Sequence, residues 1–90
     1  MTQPPEPWRL TFHRQAQRDN VLLQRAGMRA RAEAIFEILR ANPYQPPYEK
    51  LVGALAGLYS RRLTLQHWVV YQILPETREV RVLRTWTHYG

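Results

Sequence analysis

Apolar and polar residues alternate over residues 8–13, near the start of the chain. A period of two is typical of a half-buried β-strand, so we predict the first strand there. After residue 13 the apolar residues are spaced as on one face of a helix. We predict a helix over residues 14–24, with Ala16, Leu22 and Leu23 on or near its apolar face.

A second helix is predicted over residues 28–41, where Ala32, Ile35 and Leu39 recur three and four positions apart. Pro43 ends this helix, because the residue before a proline avoids the helical conformation. Only a few residues separate the two helices, so we expect them to pack as an antiparallel hairpin.

The last third of the chain has the period of strands. We predict strands over residues 58–65, 68–74 and 79–89, and their short connections favour an antiparallel meander. Leu83 is apolar although it is out of phase with the apolar positions before it. We therefore expect a bulge, or burial on both sides, in the last strand.

The order β-α-α-β-β-β predicts an α+β fold, in which a two-helix hairpin packs on one face of a mainly antiparallel four-stranded sheet. A chain of 90 residues suits one domain, which we place over residues 8–90. Residues 1–7 are polar and rich in proline, so we expect a flexible segment and not a signal peptide. No run approaches the roughly 20 apolar residues that cross a bilayer, so we expect a cytoplasmic protein with no membrane partner.

Basic residues outnumber acidic residues by 13 to 7, which gives a net charge of +6, and Lys50 is the only lysine. Arginine matches the geometry of phosphate and stacks on bases, so this charge favours RNA or DNA as a partner. An acidic protein partner, or a basic surface that is merely solvated, remains open. The absence of cysteine excludes disulfides, a thiol nucleophile and cysteine-ligated metal sites.

The three histidines are spaced in a way that suggests no metal site. We expect structural roles for His13 and His67. His88 differs because it lies in the aromatic run W-T-H-Y at the end of the last predicted strand. Histidine is also the side chain best suited to move a proton near neutral pH.

The predicted meander brings charged and aromatic side chains into one candidate RNA-binding patch, with Glu49 at its rim. A carboxylate, an arginine and a histidine can together cleave RNA without a metal. The carboxylate takes the proton of the 2′-OH, the arginine stabilises the phosphate, and the histidine protonates the leaving 5′-oxygen. The alternative is that these residues form only a solvated edge. The patch includes Arg61, Arg62, Trp68, Gln72, Arg84 and His88.

Four motifs occur in a specific order: Y-E-K-L-V-G from Tyr48, G-L-Y-S-R-R from Gly57, Q-H-x-x-V-Y from Gln66 and R-T-W-T-H-Y from Arg84. In this order they resemble the Txe/YoeB toxins, which belong to the RelE/ParE superfamily of toxin–antitoxin systems. The resemblance runs from about Trp8 to the end of the chain. It implies a RelE-like fold of the microbial-ribonuclease type, and a ribosome-dependent endoribonuclease that cuts mRNA in the ribosomal A site.

The resemblance also implies roles for individual residues. Glu49 matches the family's general base, His88 its general acid, and Tyr89 the terminal tyrosine that shapes the site. Arg62 matches the arginine that contacts the phosphate. Arg61 belongs to the same motif, but the alternation of a strand puts it on the opposite face, so we rank it lower.

Trp68 departs from the family pattern Q-H-R-x-V-Y, because the family has an arginine at this position. By analogy with the removal of one transition-state donor, this change is expected to reduce the rate about 100- to 1000-fold. The tryptophan can still stack on a base. Three explanations stay open: an introduced inactivating change, a naturally attenuated toxin, or a neighbouring arginine, Arg62 or Arg84, that takes over the role.

The implied partners are a Phd/YefM-like antitoxin, whose C-terminal segment blocks the site, and the 70S ribosome with its mRNA. A homodimer is compatible with the family, and no cofactor is expected. Two other functions remain open at this point. One is a catalytically inactive protein that binds antitoxin and ribosome and represses its own operon. The other is a ParE-like inhibitor of gyrase, which Glu49 and the His88–Tyr89 pair argue against.

Overall fold

Two α-helices and five β-strands occur in residues 6–87, which are the residues that the computed structural model describes. The predicted segment over residues 1–7 and the domain boundary at its end remain predictions. No helix in the described part is long and apolar enough to cross a membrane. The elements are β1 (Arg9–Phe12), α1 (Arg14–Arg25), α2 (Arg29–Ala41), β2 (Glu49–Lys50), a 3-10 helix (Gly53–Leu55), β3 (Tyr59–Arg62), β4 (Trp68–Leu74) and β5 (Glu79–Thr87).

The five strands form one sheet in the order β1-β5-β4-β3-β2. β1 runs parallel to β5, and the other neighbours are antiparallel. The α+β class and the mainly antiparallel sheet are thus confirmed, but the sheet has one strand more than the four predicted. The additional strand, β2, has two residues, which is too short for an alternating pattern to show in the sequence.

The first helix begins at a side-chain cap and ends at a glycine. The His13 ring accepts a hydrogen bond from the backbone N–H of Gln15 (3.2 Å), so the structural role expected for this histidine is confirmed. Gly27 follows the helix with φ of +73°, which a residue without Cβ adopts at little cost. Leu22 is 43% exposed, so of the three residues predicted on or near the apolar face only Ala16 and Leu23 are buried. Asp19 takes a buried position on that face instead.

The hydrophobic core lies between the two helices and one face of the sheet. Ring contacts help to join the layers, as in the edge-on contact of Phe12 with Phe36, whose centroids are 5.1 Å apart. The other face of the sheet turns away from the helices. The buried members of the core are Ala16, Leu23, Ala32, Ile35, Phe36, Leu39, Leu63, Val69, Tyr71, Val80 and Val82.

β5 contains the bulge that its pattern predicted. Tyr71 pairs with Val82, and Val70 pairs with Arg84, so Leu83 is an additional residue without a partner on β4. The bulge reverses the alternation of β5, and Thr85 is therefore fully buried against the first helix.

β3 is shorter than the predicted strand over residues 58–65. It ends at Arg62 because the backbone N–H groups of Leu63 and Thr64 both turn to the carbonyl of His67. The His67 Nδ1 atom lies 3.1 Å from the Thr64 hydroxyl, so this histidine has the structural role expected of it. β4 has the predicted bounds, and β5 is described as far as Thr87.

Candidate active site on the outer face of the sheet

The side of β2, β3 and β4 that faces away from the helices carries Glu49, Arg62 and Trp68, and we call it the outer face. Strand pairing places these residues there. Glu49 is opposite Ser60 on β3, and Arg62 is opposite Trp68 on β4. Ser60 and Arg62 are two positions apart, so their side chains leave the strand on the same side. Three of the predicted site residues are therefore brought together by the sheet.

A cavity of about 460 Å³ opens at this edge of the sheet. It forms because β2 stops pairing at Glu49. Continued pairing would place residues 47 and 48 opposite Arg62 and Arg61, but Pro47 has no N–H for the ladder and the chain leaves the sheet. The lining residues are Ile35, Pro47, Tyr48, Glu49, Ser60, Arg61, Arg62 and Trp68.

Glu49 has an exposed carboxylate that makes no hydrogen bond or ion pair with another residue in the described part of the chain. By contrast, Asp19, Glu37 and Glu79 are all engaged by arginines. An exposed carboxylate that is not engaged by a cation can accept a proton from a substrate hydroxyl. The position thus suits the general base that the sequence predicted.

Arg62 is exposed, and its guanidinium carbon lies 5.1 Å from the centre of the Trp68 ring. This distance is within the range of a cation–π contact. Trp68 itself is part-exposed, whereas Val69 and Tyr71 on the same strand are fully buried in the core. Trp68 therefore belongs to the outer face and not to the core.

Arg61 lies on the helix side of the sheet, as its alternation with Arg62 predicted. It is 6% exposed, and its guanidinium donates a hydrogen bond to the backbone carbonyl of Gln45. Gln45 belongs to the proline-rich loop that leads into β2, so this contact holds the segment just before Glu49. Arg61 also lines the cavity from that side.

Three tyrosine rings extend from the cavity wall into the core beside Arg61. Tyr48 meets Tyr59 edge-on at 5.5 Å, and Tyr59 stacks on Tyr71 at 5.8 Å. Burial raises the pKa of Tyr71 to about 12, although the positive charge of Arg61 acts in the opposite direction. The Tyr71 hydroxyl has no hydrogen-bond partner among the described residues.

Arg84 is directed to the first helix. Its Nε atom lies 2.8 Å from one carboxylate oxygen of Asp19, and a terminal nitrogen lies 3.3 Å from the other. These hydrogen bonds raise the pKa of Arg84 above its ordinary value. Arg84 was predicted to belong to the RNA-binding patch. In the structure it is bound to Asp19 and is not grouped with Glu49 and Arg62.

His88 and Tyr89 lie outside the described residues, so their assignment as general acid and site-shaping tyrosine remains a prediction. The last described pairing of β5 places the backbone of Thr87 opposite Trp68.

Sequence reasoning missed Tyr48, Ser60 and Asp19. Ser60 is 1% exposed, lines the cavity, and has a hydroxyl with no hydrogen-bond partner in residues 6–87. The proline pair before Tyr48 could have indicated a break in strand pairing there. Asp19 gives no such signal, because a carboxylate on a helix is usually solvated. No three His, Asp or Glu side chains of the described residues come together in a group that could hold a metal ion.

Comparisons with known proteins agree on one type of fold. No protein-family model matches the sequence, and no curated protein sequence matches it. Solved structures do match. The YoeB/ParE toxin from Agrobacterium tumefaciens is 26% identical, with a TM-score of 0.81 over 90% of this chain and 99% of that one.

Two further structures cover both chains almost completely. The YoeB dimer from Staphylococcus aureus is 25% identical, with a TM-score of 0.78 over 92% of this chain and 99% of that one. It is also known in a YoeB–YefM complex. The toxin–antitoxin complex RelBE2 from Mycobacterium tuberculosis gives 28% identity and a TM-score of 0.75 over 93% of each chain. The shared fold, the near-complete coverage and the ordered motifs together support a place for this chain among the YoeB/RelE-type toxins.

Proposed function

We propose that this chain is the toxin of a type II toxin–antitoxin system, and that it cuts mRNA in the A site of the 70S ribosome. The observation that carries the proposal is the placement of Glu49, Arg62 and Trp68 on one outer face, beside a cavity of about 460 Å³. The net charge of +6 suits a phosphate-rich target. Ribosomes as the target would place this activity in the cytoplasm.

The proposed reaction is a transfer within the RNA that needs no cofactor. Glu49 takes the proton of a 2′-OH, and the 2′-oxygen attacks the adjacent phosphorus. The bond from phosphorus to the 5′-oxygen breaks, and His88 gives that oxygen a proton. Arg62 stabilises the charge of the five-coordinate phosphate, and Tyr89 shapes the site. Trp68 supplies no charge where the family has an arginine, so we expect a lower rate than the family pattern would give.

The proposed partner is a Phd/YefM-like antitoxin whose C-terminal segment covers the outer face. The support comes from similar toxins that are found with antitoxins, in the YoeB–YefM and RelBE2 complexes. A homodimer is a further proposal, since the similar YoeB of Staphylococcus aureus forms a dimer.

Primer extension on mRNA-programmed 70S ribosomes tests the proposal. The chains to compare are the parent, Trp68→Arg, Glu49→Gln, and Glu76→Gln as a control in an exposed turn. We expect cleavage by the parent, faster cleavage by Trp68→Arg, and cleavage reduced about 100- to 10,000-fold by Glu49→Gln. If the parent and Trp68→Arg both bind the ribosome and neither cleaves mRNA, the nuclease proposal is wrong and the catalytically inactive binding protein takes its place. Inhibition of gyrase by the parent would replace it with the ParE-like alternative.

A further inference from the structure

Two arginines near Trp68 could supply the phosphate charge that an arginine at position 68 would give. Arg84 is bound to the buried carboxylate of Asp19 on the first helix. Arg62 is exposed on the outer face with Glu49, and it forms no ion pair in the described part of the chain. The geometry therefore favours Arg62 as the cation that meets the phosphate.

Arg62 and Trp68 are direct cross-strand partners. Side chains that are opposite one another in an antiparallel pair are close enough to interact, and two like charges there destabilise the sheet. An arginine at position 68 would thus repel Arg62. The tryptophan attracts it instead, with the guanidinium carbon 5.1 Å from the ring centre.

A guanidinium group can stack and bind phosphate at the same time. Its π-face packs on an aromatic ring, while its five N–H donors lie in the plane of the group and point to the sides. A group that is held in this way loses less conformational entropy when a phosphate binds, because part of its freedom is already lost.

We infer that Trp68 is a positioning residue: its ring holds the Arg62 guanidinium so that Arg62 supplies charge to the scissile phosphate. This inference rests on the proposed RNA cleavage and assigns a role to the residue that departs from the family pattern. Trp68 then attenuates the toxin by removing one cation, and preserves part of the activity by ordering the other.

The test is a double-mutant cycle in single-turnover cleavage on programmed ribosomes. Trp68→Leu removes the ring, Trp68→Phe keeps an aromatic face, and each is measured with Arg62 present and in an Arg62→Ala chain. We expect Trp68→Leu to lower the maximal rate about 3- to 30-fold, with the half-saturating concentration changed less than about twofold. Trp68→Phe should retain the rate within about threefold.

The decisive reading is the dependence on Arg62. The Arg62→Ala single variant and the Arg62→Ala/Trp68→Leu double variant should cleave at equal rates, because neither has a guanidinium at position 62 for Trp68 to position. A merely structural tryptophan would give the same loss in both backgrounds, and that result overturns the inference. Trp68→Gln is a second variant without a ring, for use if thermal unfolding shows that the leucine variant does not fold.

The outcomes also separate the inference from the proposed function. If the parent and Trp68→Leu cleave mRNA at the same rate, the proposed nuclease function is supported and the positioning role of Trp68 is wrong. If only Trp68→Arg cuts, the nuclease fold is competent but Arg62 on Trp68 does not supply the charge, so the inference fails. If no chain gives cleavage that depends on Glu49, the proposed function fails and the inference fails with it.

Discussion

Asp19 on the first helix and Arg84 on the last strand form an ion pair with two contacts, of 2.8 and 3.3 Å. The same carboxylate accepts a hydrogen bond from the backbone N–H of Thr85 at 3.0 Å. Asp19 is 4% exposed, and Arg84 and the Thr85 N–H on β5 compensate its buried charge. The pair joins the helix layer to β5 just beyond the bulge at Leu83.

Replacing Asp19 by alanine should lower the free energy of unfolding by about 1–3 kcal/mol, because it removes the carboxylate that accepts hydrogen bonds from the buried N–H of Thr85 and from Arg84. Urea unfolding measures this change. Glu37→Ala breaks the exposed pair with Arg40 and should cost less than about 1 kcal/mol. Equal losses in the two variants would contradict the role assigned to Asp19.

Glu49→Gln should reduce mRNA cleavage about 100- to 10,000-fold, because the amide cannot accept the proton of the 2′-OH. The stability should stay within about 0.5 kcal/mol of the parent, since the side chain is exposed and forms no ion pair within residues 6–87. Single-turnover rates and urea midpoints give the two quantities. A Glu49→Gln chain as active as Glu76→Gln would show that another group is the base.

Tyr71 should make the protein sensitive to alkali. The folded protein raises its pKa from 10.0 to about 12, so the stability is complete below pH 10 and is lost as the pH rises towards 12. Phenylalanine at position 71 cannot ionise, so Tyr71→Phe should lose less stability than the parent between pH 10 and pH 12. Its removal of a buried hydroxyl that has no hydrogen-bond partner in residues 6–87 should cost little. Urea midpoints at pH 8, 10 and 11 test this expectation. Tyr44→Phe, at an exposed ring, is the matched control.

Glu79 should make the stability of the folded protein depend on pH in the acidic range. The hydrogen bond from Thr11, at 2.6 Å, and the charges of Arg81 and Arg9 lower its pKa from the ordinary 4.5. The stabilisation is therefore present above pH 4.5 and is lost as the pH falls through the lowered pKa.

Glu79→Gln should consequently differ most from the parent near neutral pH, and the two unfolding curves should converge as the pH falls towards 3. Thr11→Val removes the largest cause of the shift and should move the acid loss of stability to higher pH. A constant difference between the parent and Glu79→Gln from pH 7 to pH 3 would show that Glu79 does not act through its charge.

The sequence by itself determined the class of fold and the order of the principal elements. The helix over Arg29–Ala41 and the strand over Trp68–Leu74 follow from local periodicity and from Pro43, and these signals need no partner elsewhere in the chain. The family motifs also indicated Glu49 and Arg62, because their order along the chain is specific. Even the bulge at Leu83 was visible as an apolar residue out of phase.

Only the tertiary structure decided how these residues meet. β2 was missed because two residues carry no period, and its pairing with Ser60 is what brings Glu49 to the outer face. Arg84 could not be separated from Arg62 by sequence, since its partner Asp19 is 65 residues away. The contact of Arg62 with Trp68 depends on strand register as well. Local patterns determine which element a residue joins, but side chains distant in sequence meet only when the sheet pairs and the helices pack.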